Sequence, residues 1–197
     1  MNKIRDIVTA LLLVPLCAGA SEEGIDDRTG LPRWDAAGDD VRVRLVQRLP
    51  DQTRAFFIGR GFNAAQVDRI AGHCVLQTII YNDGGTPIVL DIANWSARVD
   101  DRPGDATVQP RLMSDWQQEW TEAGVGNGPR IAFRWALFPN QQEFAPGDWN
   151  MGMTTWPVPP GSELDVHIRW VADGKPHELV VDNVRCAQAA ANSVPNQ

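Results

Sequence analysis

The chain has 197 residues, of which 18 are Lys or Arg and 25 are Asp or Glu, so its formal net charge is −7. With 43% apolar and 22% charged residues it has the composition of a single globular domain and not that of a wholly disordered chain. The acidic balance, without any basic run, argues against nucleic acid and against anionic membrane surfaces as the main partner.

The N-terminus has the pattern of a secretory signal. Lys3 and Arg5 precede an apolar run over residues 7–17, and the small residues at 18–20 match the motif that a signal peptidase cleaves. We therefore predict a signal peptide over residues 1–20 and a mature protein that is periplasmic or secreted. An apolar run of about eleven residues is too short to cross a hydrocarbon core of about 30 Å, so no stable membrane insertion is expected.

Two cysteines, Cys74 and Cys186, remain after cleavage, and each lies beside a predicted strand. In an oxidising compartment such a pair is expected to form a structural disulfide. The bridge would close a loop of 112 residues, for which loop entropy gives a stabilisation of roughly 4–5 kcal/mol. A reactive Cys74 with His73 as its base is disfavoured, because neighbouring side chains on a strand point to opposite faces.

Residues 21–40 are acidic, contain glycine and proline, and show no apolar periodicity. This composition predicts a flexible acidic leader in which only Trp34 makes a contact. From Val41 to Leu49 apolar residues alternate with arginines, which predicts a half-buried strand. The folded domain is accordingly assigned to residues 41–186, and residues 187–197 are predicted to be a disordered tail.

Short helices and strands follow one another along this domain. Pro50 begins a first helix that ends before Gly59, Asn63 with Gln66 forms the capping box of a second, and Ser114 begins a third. Alternation of apolar and polar residues predicts strands over 74–81, 88–92, 131–137, 164–170 and from 179 toward 186, with two weaker ones at 108–112 and 149–153.

The order of these elements predicts the fold class. Strands separated by turn signals, without regular βαβ alternation or an internal repeat, favour a mainly β domain. We predict an antiparallel β-sandwich of the jelly-roll or immunoglobulin-like type, with three short helices inserted at its edges. The Cys74–Cys186 disulfide would tie an early strand of this domain to its last.

Motifs for common catalytic chemistries are missing from the sequence. It has no G-x-S-x-G elbow, no H-E-x-x-H, no phosphate-binding P-loop and no dinucleotide fingerprint, and its three histidines form no evident pair with a nucleophile. We therefore expect no enzyme activity and no cofactor. The leading hypothesis is a non-catalytic periplasmic binding or assembly-accessory protein that recognises a protein partner or a small ligand.

One alternative hypothesis is a periplasmic copper carrier. Met151 and Met153 would share a face of an extended segment, and His167 lies on the polar side of its own predicted strand. Thioether and imidazole groups are ligands that Cu(I) accepts. The competing interpretation is that the methionines fill the core and the histidine is exposed.

The second alternative is a carbohydrate-binding module, suggested by eight tryptophans against a single tyrosine. Trp149 and Trp156 lie in a segment rich in glycine and proline, so they are candidates for a ligand or partner surface as well as for packing under a loop. By contrast Trp95, Trp135 and Trp170 lie on the apolar sides of alternating segments and are expected in the core.

Overall fold

The computed structural model of the protein describes residues 21–100 and 106–188. Residues 1–20, which hold the predicted signal peptide, residues 101–105, and residues 189–197 of the predicted tail lie outside the described residues. Within the described ranges the fold is mainly β, with two antiparallel sheets, four α-helices and one disulfide.

Eleven strands and four helices succeed one another along the described chain. The strands are β1 (Glu22–Ile25), β2 (Pro32–Gly38), β3 (Val41–Gln47), β4 (Cys74–Asn82), β5 (Ile88–Asp91), β6 (Ser96–Val99), β7 (Thr107–Val108), β8 (Gln141–Phe144), β9 (Trp149–Trp156), β10 (Glu163–Ala172) and β11 (Lys175–Arg185). The helices are α1 (Pro50–Ile58), α2 (Ala64–Ala71), α3 (Met113–Glu122) and α4 (Asn127–Ala136).

The first sheet has the spatial order β1, β2, β3, β4, β9, and every neighbouring pair is antiparallel. In the second sheet β10 pairs with β11 on one side. On its other side β10 pairs with β6 and β5, which lie end to end around a 3₁₀ helix (Ile92–Asn94). β8 then pairs with β5, and β7 pairs with β6.

Residues of both sheets share one buried apolar cluster. The first sheet contributes Leu45 and Leu76, and the second contributes Ile168 and Val181. These side chains come from alternate positions of their strands, as burial of one face of each sheet requires. Trp95 and Trp170 are members too, which confirms the prediction that they are core residues.

The predicted disulfide is confirmed. Cys74 on β4 and Cys186 just after β11 are joined with an S–S distance of 2.00 Å and a Cα–Cα distance of 5.2 Å. Both residues are buried in the cluster that the two sheets share. The bridge therefore links the first sheet covalently to the last strand of the second.

A second apolar cluster lies on the outer face of the first sheet, where the helices cover β4 and β9. Its members include Phe57 of α1, Ile70 of α2, Trp116 of α3, Phe133 of α4, Val75 of β4 and Met153 of β9. The capping box of α2 is present as predicted, since Asn63 Oδ1 accepts from Gln66 N (2.9 Å) and Gln66 Oε1 accepts from Asn63 N (3.0 Å). The two predicted helices before β4 and the one near Ser114 are confirmed as α1, α2 and α3, but α3 begins at Met113 and its N-cap is Leu112, so the predicted start at Ser114 is wrong.

The predicted flexible leader over 21–40 is wrong. This segment forms β1 and β2, and β2 pairs with β3 over six residues with Trp34 opposite Leu45. Trp34 and Ala36 are buried in the cluster between the sheets, while Arg33 and Asp35 occupy the outer face. Although only Trp34 and Ala36 of β2 are buried, the strand forms because its backbone pairs with β3, which also contributes apolar side chains to the same cluster.

The predicted strand over 131–137 is also wrong, because residues 127–136 form α4. The segment has apolar residues at spacings of two and also at spacings of three and four, through Phe133, Ala136 and Leu137. Phe133 and Leu137 are buried in the second cluster, with Ala136 packed against it, so contact with the other helices selects the helical period.

Candidate functional site

A surface groove of about 560 Å³ lies beside the edge strand β9 of the first sheet and β8 of the second. The segment 137–140, which connects α4 to β8, forms part of its surface, and α3 and α4 supply the wall opposite the strands. The groove is lined by Met113, Gln117, Arg134, Trp135, Leu137, Phe138, Pro139, Asn140, Gln142, Asn150 and Met151.

The connecting segment lies against β9 because Gly152 has no side chain. Phe138 N donates to Met153 O (2.9 Å), and Leu137 forms an isolated parallel bridge with Met153. A Cβ on Gly152 would lie 2.3 Å from Phe138 N and 2.6 Å from the carbonyl carbon of Leu137. Glycine is therefore required for the backbone approach that places this side of the groove.

Trp135 is the most exposed aromatic residue among those described, with 83% of its surface accessible. Phe133 is fully buried on the inner side of α4, and two residues further along an α-helix the side chain points to the opposite side. The indole of Trp135 therefore lies exposed at the border of the groove. The sequence-based prediction that Trp135 is a core residue is wrong. The helical spacing of Phe133, Ala136 and Leu137, with Pro129 in the first turn of α4, is the sequence signal that could have revealed this.

Amide side chains supply the polar groups of the groove. Asn150 Nδ2 donates to Gln142 Oε1, which connects β9 to β8, and Asn140 Oδ1 accepts from Met113 N (3.2 Å). Among the described residues, the amide nitrogens of Asn140 and Gln142 have no intramolecular acceptor. They are available to a ligand that offers oxygen acceptors.

The lining of the groove carries little charge. Among the described residues, Arg134 is the only charged one in the lining, and no Asp, Glu, His, Lys, Cys, Ser or Thr side chain borders the groove. In a protein with a formal charge of −7 this groove is therefore locally uncharged or weakly positive.

The sequence-predicted tryptophans lie on opposite faces of β9. Trp149 is 56% exposed on the outer face and stacks on Tyr81 with ring centroids 6.1 Å apart. The guanidinium of Arg42 lies 3.8 Å from the centroid of the Tyr81 ring on its other side. Trp156 is 1% exposed in the cluster between the sheets, so its ring does not take part in any surface that Trp149 forms.

The three residues of the copper hypothesis are not brought together. Met151 is 45% exposed and borders the groove, whereas Met153 is buried under the helices. His167 lies on the second sheet, where its Nδ1 contacts Glu178. Within the described residues no group of three or more His, Cys, Asp or Glu side chains is placed to hold a metal ion.

The wall helix α3 is held to the sheet by a network around Trp116. Its Nε1 donates to Thr155 Oγ1 on β9 (3.0 Å), and its ring packs against Trp120 with centroids 5.1 Å apart. The Arg111 guanidinium lies over the same indole, and Arg111 also donates to Glu119 Oε2 (2.6 Å). This network fixes the helix that carries Met113 and Gln117 of the groove.

His73 is part of this network as a neutral ring. Its Nδ1 lies 2.7 Å from the carbonyl oxygen of Arg69 and must donate to it, which leaves Nε2 to accept from Arg111 Nη1 at 3.5 Å. Burial lowers the pKa of His73; the Arg69 carbonyl and the Glu119 carboxylate oppose this shift, and the Arg111 charge adds to it. Protonation of His73 would therefore place a second cation against Arg111.

We predict that His73→Gln flattens the pH dependence of stability in mild acid. Because the pKa of His73 is lower in the folded state than in the unfolded state, the unfolded chain binds more protons between the two values. The contribution of His73 is complete above about pH 6.5 and is lost as the pH falls through its folded pKa. The glutamine amide can make both hydrogen bonds without titrating.

The measurement is urea unfolding of both proteins from about pH 8 to about pH 4.5, with the slope of unfolding free energy against pH as the readout. The wild-type slope below about pH 6.5 is expected to be the steeper. Equal slopes over this range would contradict the assignment of a neutral His73.

Comparison with protein-family models, with curated proteins and with solved structures finds no match to this chain. Among the described helices none is long and apolar enough to cross a membrane. The class is accordingly given by the described residues alone: a mainly β protein of two antiparallel sheets joined by a disulfide, with a groove at the edges of its sheets.

Proposed function

We propose that this protein is an exported, non-catalytic β-sandwich that binds its ligand or partner in the groove between β8, β9 and α4. The observation that carries the proposal is the 83% exposure of Trp135 at the border of a cavity of about 560 Å³. An exposed indole leaves a large apolar surface in contact with water, which is unfavourable unless a ligand covers it. Exposed aromatic residues beside a cavity are characteristic of binding surfaces.

The chemistry of the lining supports a binding role over a catalytic one. General acid–base catalysis needs a group that gains and loses a proton near neutral pH, and covalent catalysis needs a nucleophile. Arg134 does neither, and the other lining side chains are amides, aromatic rings and apolar groups. These groups can orient and desolvate a bound molecule.

The disulfide supports the proposed location. Buried Cys74 and Cys186 are oxidised to each other, and such bridges persist in the periplasm and outside the cell. We propose on this basis, together with the signal sequence, that the mature chain begins at Ser21. N-terminal sequencing of protein from the native compartment is expected to read Ser-Glu-Glu, and an intact N-terminal Met would contradict it.

The binding role is tested with Trp135→Ala and a matched control, Ile58→Ala, which removes an apolar residue of 53% exposure on α1, away from the groove. Ligands are selected for the wild-type protein from a random-peptide display library and a glycan array. We expect Trp135→Ala to weaken the selected ligands at least tenfold, about 1.4 kcal/mol, and Ile58→Ala to leave them unchanged. Failure of both collections to yield a Trp135-dependent ligand would overturn the proposal.

Carbohydrate is a second candidate ligand, favoured by the amide nitrogens of Asn140 and Gln142 near Trp135. A sugar ring can stack on an indole while its hydroxyl groups pair with amides. The copper-carrier alternative has less support, because Met151 is exposed on β9, Met153 is buried under the helices and His167 lies on the second sheet.

A further inference from the structure

The edge strand β9 differs from the other edges of the two sheets. Its eight residues, Trp149–Trp156, include no charged side chain and no proline. At the opposite edge of the first sheet, β1 carries Glu22 and Glu23, and in the second sheet β8 carries Glu143. β11 carries a proline and several charges, and β7 has only two residues. Charge, proline and short length are the devices that keep an edge from pairing with another chain, so β9 is the edge without such protection.

The strand register shows which backbone groups of β9 face its open edge. The carbonyl of Met153 accepts from Phe138 N (2.9 Å) and that of Thr155 accepts from Arg111 N (2.8 Å), so both point away from β4. Outward and inward pairs alternate along an antiparallel ladder. The backbone groups of Met151 and Trp149 therefore also point away from β4.

This outward edge borders the groove. Met151 N is occupied by a side chain, since it donates to Asn150 Oδ1 (2.8 Å), and β9 has no strand partner other than β4 among the described residues. Within the described part of the chain, the Met151 carbonyl and both polar backbone groups of Trp149 face no paired strand. These are the groups that an additional strand would use.

Walls lie on both sides of this edge, and they limit what can pair with it. α4 with Trp135 lies on one side of the groove, and β8 with Gln142 lies on the other. Direct pairing with the β9 of a second copy would bring the α4 and β8 walls of both copies against each other. A single extended polypeptide is slim enough to enter between them.

We propose that an extended peptide segment of a partner protein binds in the groove as an added strand on the open edge of β9, at Trp149–Met151. This inference rests on the proposed binding function and names its ligand class. Side chains alternate along a strand, so every second residue of the peptide would pack against Trp135 and Met151. Because Arg134 is the only charge that the described residues place in the lining, the segment is neutral or acidic and not basic.

The test uses the mature full-length protein and the peptides selected from the display library. Each peptide is also synthesised with N-methyl groups on alternate residues, in both phases, so that one version loses the N–H groups that face β9. We expect that version to bind at least tenfold more weakly and the other phase to bind like the parent. Saturation with the parent peptide is expected to slow hydrogen exchange of the Trp149 amide at least tenfold, with amides of α1 as the internal control.

The outcomes separate this inference from the binding function itself. Trp135-dependent glycans without Trp135-dependent peptides would overturn strand addition and leave the binding function standing, whereas no ligand of either kind would overturn both. Peptides that tolerate N-methylation in both phases, or that leave Trp149 exchange unchanged, would also overturn strand addition. Slow Trp149 exchange in ligand-free protein, together with a dimer in sedimentation, would assign the edge to a second copy and contradict the proposal.

Discussion

Replacement of both disulfide cysteines, Cys74→Ala with Cys186→Ala, is expected to lower the free energy of unfolding by about 4 kcal/mol. The bridge spans 112 residues, and a closed loop of that length removes roughly 4–5 kcal/mol of conformational entropy from the unfolded chain. Removal of a native disulfide commonly costs about 2–5 kcal/mol in measured cases. Urea unfolding at neutral pH measures the change.

The matched control for the double variant is chemical reduction. Reduced wild-type protein is expected to unfold at the same urea concentration as the double variant, and the double variant itself is expected not to respond to reductant. A loss below about 1 kcal/mol would mean that the sheets are held together without the loop constraint, which would contradict the loop-entropy account.

The second large effect is expected from Gly152→Ala, which should lower the free energy of unfolding by about 3 kcal/mol. The added Cβ would lie 2.3 Å from Phe138 N and 2.4 Å from Phe138 Cα, both of them backbone atoms that cannot rotate away. The connecting segment must move off β9, and the Phe138 N to Met153 O hydrogen bond is lost with it. Ligands selected for the wild-type groove should then bind more weakly even where the variant remains folded.

Gly85→Ala, in the turn between β4 and β5, is the matched control, because nothing beyond its chain neighbours lies within 4 Å of its added Cβ and its φ is outside the left-handed region. Alanine at such a position mainly restricts the unfolded chain, so this variant should be neutral or slightly stabilised. Both variants are compared by urea unfolding. Equal stabilities for the two would show that the segment 137–140 yields without cost and would contradict the close approach.

For residues 21–40, amino-acid composition led to a wrong prediction of a flexible segment. Seven acidic residues and several turn-forming residues in 21–40 suggested a flexible segment, yet β2 places Trp34 opposite Leu45 of β3. Only Trp34 and Ala36 of this strand are buried apolar residues, so the alternation is too short to predict a strand from the sequence. Pairing with a strand already in the sheet supplies hydrogen bonds that no local pattern records.

Residues 131–137 illustrate an ambiguity of period. Ile131, Phe133, Trp135 and Leu137 alternate as on a strand, but Phe133 and Leu137 also fit one face of a helix. The helical solution buries Phe133 against Trp116 and Trp120, with ring centroids 5.2 and 5.3 Å apart. It also leaves Trp135 in solvent. Because the strand pattern assigned Trp135 to the core, the sequence did not predict this exposed ring of the candidate site.

The sequence by itself determined the mainly β class, the capping box at Asn63, the burial of Trp95 and Trp170, and the pairing of Cys74 with Cys186. Each of these depends on neighbours along the chain, or on Cys74 and Cys186 being the two cysteines that lie outside the predicted signal peptide. Only the tertiary structure decided that residues 127–136 are helical, that the edge of β9 is open at residues 149–151, and that the groove lies between β8, β9 and α4. These features depend on which segments, distant in sequence, pack against each other. That packing is selected because it buries apolar surface over the whole domain, which no local sequence pattern records.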